Sequence, residues 1–130
     1  MYLLAHFRDD VEALHYAISD EGYDWELLND GEPILESAVG NNSIRDPFLI
    51  QDREGTYHLL GTDSWKSDSI VHATSPDLIE WSPPTLVPLM SDIPSSRNTW
   101  APEAFYDREC GVYRLLWSST LDSPDAWDNR

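Results

Sequence analysis

The chain repeats itself. Tyr2-Leu3-Leu4-Ala5-His6-Phe7 returns 55 residues later as Tyr57-His58-Leu59-Leu60-Gly61-Thr62. It returns again after another 56 residues as Tyr113-Arg114-Leu115-Leu116-Trp117-Ser118. "ISDEGYDW" (18–25) matches "TSPDLIEW" (74–81), "EPIL" (32–35) matches "VPLM" (87–90), and Asp46-Pro47 precedes Tyr57 much as Ala101-Pro102 precedes Tyr113. A fixed period of this length marks stacked copies of one supersecondary unit.

Each unit reads as strands. In the complete one, a Pro-led run (47–51) is followed by the turn "DREG", a second run (57–62), a third (69–74), the turn "SPDLIEW" and a fourth run near 86–90. The runs are short, rich in Tyr, Val, Ile, Leu and Trp, and bounded by Gly, Pro, Asp and Ser. No helical stripe of useful length competes. "VEALHYAI" (11–18) has a helix-like composition, but its place in the repeat, opposite "DSIVHATS", makes it a strand. The expected fold is all-β, with β-propeller blades of four antiparallel strands. The units 1–42, 43–97 and 98–130 then hold the last three strands of one blade, one whole blade and half of a third. That is about two and a half blades of a propeller. At least four blades close a propeller, so the chain reads as a piece of something longer, or as one that assembles to hide its strand edges. The tail "TLDSPDAWDNR" (120–130) drops the strand pattern and reads as a truncation. Trp25 and Trp81, at matching places, are expected to pack between sheets rather than stack on sugar; Tyr57 and Tyr113 are expected in the core.

Charge narrows the partners. With 8 basic and 24 acidic residues the net charge is −16, which repels phosphates and disfavours nucleic acid and anionic membranes. Neutral sugars fit such a chain. Its six Trp and 41% hydrophobic content argue against disorder. Cys110 stands alone in a turn-like "DRECGVY" and reads as incidental rather than nucleophilic. No apolar run approaches the ~20 residues of a membrane helix. No signal peptide is visible at the start, which leaves location open: cytoplasmic if that start is genuine, secreted or periplasmic if it is not. His6, His15, His58 and His72 form no metal-ligand spacing; His15 and His72 fall at matching places and read as structural. Phosphate-binding loops and nucleophile-elbow glycines are absent.

Two stretches carry the chemistry: "SIRDPFLIQD" (43–52) and "NTWAPEAFYD" (98–107). In each, an acid sits beside a proline that stiffens the backbone, at the start of the strand expected to line a propeller's channel. Asp46 and Glu103 are expected in the same slot of successive units, and a pair of carboxylates is what glycoside hydrolysis needs. Arg45 is placed to keep Asp46 ionised. Trp100 offers an apolar face to a sugar ring, or desolvates Glu103. Turn-shaping by Asp-Pro and Pro-Glu is the competing reading of either pair alone.

"RDPFLIQDREGTYHLLGT" and "NTWAPEAFYDRECGVYRLLWSS", with "YLLAHFRDD", "LHYAISDEGYDWELLNDGEPIL" and "IVHATSPDLIEWSPP", resemble glycoside hydrolase family 43, five-bladed propeller enzymes. The resemblance reaches to about Ser119. It implies hydrolysis, usually inverting, of α-L-arabinofuranosyl or β-D-xylosyl linkages in plant oligo- and polysaccharides by three acids: a base, a pKa-tuning Asp and an acid Glu. Asp46 matches the Asp of "RDP", which in invertase-like relatives stabilises the transition state. Glu103 matches the acidic position of "WAPE", either as proton donor or with the donor on a later blade. Asp9 or Asp10 supplies a further carboxylate in one reading. No cofactor is implied beyond the calcium that some relatives hold, for which the sequence identifies no ligands. The competing class is a non-catalytic carbohydrate-binding or degenerate propeller.

Overall fold

A computed structural model describes residues 1–122. It is all-β, in three antiparallel sheets. β1 (Tyr2–His6), β2 (His15–Ser19) and β3 (Glu26–Leu27) form the first, in that order. β4 (Arg45–Gln51), β5 (Tyr57–Thr62), β6 (Ser69–Ser75) and β7 (Thr85–Pro88) form the second. β8 (Trp100–Asp107) and β9 (Val112–Ser118) form the third. The run 11–18 indeed contributes a strand, β2. Antiparallel neighbours need only short turns between them. "DREG" and "DREC" make those turns: the Asp52 carboxylate accepts the Glu54 and Thr56 N–H groups, and Asp107 accepts those of Glu109 and Cys110. Gly55 at φ +95 and Gly111 at φ +69 take left-handed positions where a side chain would strain.

The first unit has three strands, as expected, but they are less regular than those of the second. Its outer strand is broken: Glu26–Leu27 pairs with Ala17 and Ile18, a 3-10 turn (Asn29–Gly31) intervenes, and Leu35 only bridges Leu14. Pairing register also corrects the histidine match. Ala5 faces Tyr16 as Leu60 faces His72, so Tyr16 holds the place of His72. His15 is structural nonetheless. It is buried, with Nδ1 3.1 Å from the Gly31 carbonyl and Nε2 3.3 Å from that of Val11.

The core lies between the first two sheets. Leu14 and Tyr16 of one meet Leu59, Val71 and Ala73 of the other, with Ile44 from the connecting segment. Trp81 packs against this cluster, as expected. Trp25 does not: it is 40% exposed. Its sheet has no neighbouring sheet on that side among the described residues, so the position equivalent to Trp81 has nothing to cover it. Tyr113 is likewise 41% exposed, because the third sheet has only two described strands. Tyr57 is half-buried.

Candidate active site

Two bulges shape the site. Arg45 pairs with Thr62, and pairing resumes only at Phe48 with Leu60. Trp100 pairs with Ser118, and pairing resumes at Glu103 with Leu116. Within the gaps Asp46 has φ 46 and Ala101 has φ 47. A bulge leaves one residue out of the ladder and re-aims the chain, and Pro47 and Pro102 sit where no ladder N–H is required. Left-handed backbone at a non-glycine residue costs about 1–2 kcal/mol and is tolerated best by Asp and Asn. The strain recurs in both units.

This geometry corrects the expected equivalence of the two acids. Asp46 corresponds to Ala101, and Glu103 to Phe48. The carboxylates therefore come from adjacent sheets but from different slots. Both residues are exposed. The buried Thr62 hydroxyl donates to Asp46 Oδ2 at 2.8 Å and accepts the Ala101 N–H at 2.7 Å, tying one bulge to the next across sheets. The Glu103 side chain makes no hydrogen bond or ion pair among the described residues.

Arg45 is turned away from Asp46. Its Nη1 donates to Glu12 Oε1 at 2.6 Å, and its Nη2 lies 3.9 Å from Asp9 Oδ1. The Ser43 hydroxyl donates to the other oxygen of Glu12 at 2.6 Å. Ser43 first, and then Arg45, hold the Glu12 carboxyl below the usual range against its partial burial. The guanidinium also lies between two rings, 4.7 Å from the centroid of Phe7 and 4.8 Å from that of Trp65. Trp65 in turn meets Trp100 edge-on, with centroids 5.6 Å apart at 82°, and its carbonyl accepts the Trp100 Nε1–H at 3.2 Å. Trp100 is thus half-buried against Trp65, and it does not enclose the exposed Glu103. Of the two early acids, Asp9 reaches Arg45, whereas Asp10 pairs with Arg8, whose hydrogen bond lowers its pKa.

Sequence reasoning missed Glu12, Thr62, Trp65 and Phe7. Trp65 had a signal: a lone Trp in the polar loop "TDSWKSDS". Among the described residues, no group of three or more His, Cys, Asp or Glu is placed to hold a metal ion, and no helix is long and apolar enough to cross a membrane.

An apolar cleft of about 460 Å³ lies away from these acids, between the second and third sheets. Ile50, Leu60, Ile70, Val87 and Leu115 line it, and a polar chain marks one wall. There Asp52 Oδ2 lies 3.1 Å from His58 Nε2, and His58 Nδ1 lies 3.0 Å from His72 Nε2. Burial first, and then His58, push the His72 pKa down. The His58 contact pulls Asp52 down. A histidine that resists protonation when folded takes up protons on unfolding. Stability from this site is therefore complete above the ordinary histidine range, near pH 6.5, and is lost as pH falls through and below it. We expect the urea midpoint to drop between pH 7.5 and 5.5, and His72→Gln to flatten that slope. An equally steep slope in the variant would remove His72 from the explanation.

Asp46 and Glu103 are thus exposed carboxylates on adjacent sheets, and Trp65 and Trp100 contact each other across the same two units. The chain belongs to the glycosyl hydrolase family 43-related family, whose model, described as "Probable glycosyl hydrolase domain", matches residues 1–130. It is also 24% identical over 120 residues to an alpha-L-arabinofuranosidase of Bifidobacterium longum subsp. longum. That match covers 80% of this chain and 11% of the relative, so the chain spans a small part of that protein's length.

Proposed function

We propose that this domain takes part in hydrolysing α-L-arabinofuranosyl or β-D-xylosyl linkages by general acid–base catalysis with inversion. The observation that carries the reading is Asp46. It is an exposed carboxylate on a strained bulge, oriented by the buried Thr62 hydroxyl and bordered by the Arg45–Trp65–Trp100 cluster. Family membership and the arabinofuranosidase similarity support the sugar class. In this reading the units 1–42, 43–97 and 98–130 are blades of a five-bladed propeller. Asp46 stabilises positive charge on the sugar ring, Glu103 gives the leaving oxygen its proton, a further carboxylate takes the proton of the attacking water, and Trp100 lies beside the sugar. Arg45 serves through its neighbours rather than by ionising Asp46.

The test is release of 4-nitrophenol from aryl α-L-arabinofuranosides and β-D-xylopyranosides, with the product anomer followed by NMR. Proton donation matters most for poor leaving groups. Glu103→Gln is therefore expected to lower kcat on oligosaccharides by roughly a hundredfold or more, and on a 2,4-dinitrophenyl glycoside far less. Equal losses on both substrates would take the proton-donor role from Glu103.

One observation favours a second reading, non-catalytic sugar binding: Asp46 and Glu103 occupy different slots of the repeat. That reading gains if oligosaccharides bind and neither aryl glycoside is cleaved.

A further inference from the structure

We propose that Trp65 is the stacking platform for a sugar ring of the substrate, and that Arg45 is a positioning residue which holds that indole in place. This rests on the glycoside-hydrolase reading of the same site.

Trp65 is 55% exposed, although water-exposed indole is unfavourable. The loop that presents it is nevertheless rigidly built. Asp63, two residues earlier, is 1% exposed, and its carboxylate accepts the Asn41 N–H at 2.8 Å and the Asn41 side-chain amide at 3.0 Å. Ser64 then takes a left-handed turn at φ 60, a strained conformation for a non-glycine residue. The ring itself is held from two directions. Arg45 lies over it at 4.8 Å, and Trp100 meets it edge-on while donating its Nε1–H to the Trp65 carbonyl.

Arg45 does not float. Glu12 grips its guanidinium, Ser43 grips Glu12, and Phe7 covers the guanidinium at 4.7 Å. Phe7 and Glu12 lie in the first unit, and Arg45 and Trp65 in the second, so the pin joins the two. The neighbours along the chain are the catalytic candidates: Arg45 precedes Asp46, and Thr62, three residues before Trp65, holds the Asp46 carboxylate. A half-exposed indole, held on two sides in the same unit as an oriented acid, offers a face on which the apolar C–H face of a pyranose or furanose ring can stack. Its placement is already fixed, so little ordering is lost on binding.

The experiment is titration of the protein with arabinotriose and with xylotriose, following the indole N–H resonances and kinetics together. The Trp65 and Trp100 resonances should move with one of these sugars. Trp65→Ala should weaken binding about tenfold and raise KM with kcat nearly held, whereas Trp65→Phe should recover most of the affinity. Arg45→Gln should raise KM in the wild-type background and add little to Trp65→Ala, because it acts through the same ring. If neither sugar moves an indole resonance, or if Trp65→Ala binds as the wild type does, the platform is overturned. If binding depends on Trp65 but the wild type cleaves neither aryl glycoside, the hydrolase reading falls and the platform stands.

Discussion

Asp46→Asn is expected to reduce kcat about 10²–10³-fold with little change in KM, the loss typical of removing one electrostatic stabiliser of a transition state. Asn keeps an oxygen for the Thr62 hydroxyl, so the link from Thr62 to the Ala101 N–H survives and the bulge stays as it is. What disappears is the negative charge. If Asp46 stabilises charge on the ring, the loss is the same for good and poor leaving groups. That separates it from Glu103, whose loss should grow as the leaving group worsens. Thermal stability should be almost unchanged, because Asp46 is exposed. Turnover within a factor of two or three of wild type would remove Asp46 from the reaction. Thr62→Val is a useful companion. It deletes both contacts while keeping the shape, and should lower kcat less than Asp46→Asn does.

Much of the fold could be read from the chain because strand signals are local. Runs with a Tyr followed closely by a Leu-Leu pair identify β1, β5 and β9 without knowledge of their partners. The bulges were harder. Asp46-Pro47 lines up with Ala101-Pro102 in plain sequence, yet a carboxylate at 103 invites alignment by charge. Only the pairing of Phe48 with Leu60 and of Glu103 with Leu116 shows that the acids differ by two positions. The histidines went astray for a related reason. The repeat offset drifts between 55 and 56, and a one-residue slip in a strand exchanges the faces, so His15 and Tyr16 trade roles. The partners of Arg45 were beyond reach of local reading. Glu12 is 33 residues away, and no charge pattern singles it out among 24 acids. Trp25 fails differently: its unit has the right residue, but burial depends on a neighbouring sheet.

Leu59→Ala tests whether the first two sheets fold as one body. Leu59 is fully buried in the middle of β5, and it packs with Leu14 and Tyr16 across the sheet interface. The position has no slack. Val71 and Ala73 on the adjacent strand are also buried, so collapse around the missing methyl groups is restricted. Removing a buried Leu side chain costs about 2–5 kcal/mol, from lost transfer energy plus the cavity left behind. For a chain of this size that lowers Tm by roughly 10 °C, and the urea midpoint falls with it. The matched substitution at Leu115, the corresponding position of β9, is the control. Leu115 is 38% exposed, because its sheet has only two described strands, and Leu115→Ala should cost less than half as much. Equal losses at the two positions would mean that Leu115 is covered in solution. A negligible loss at Leu59 would mean that the first two sheets do not share a core. The placement of Arg45 between Phe7 and Trp65 would then lose its foundation.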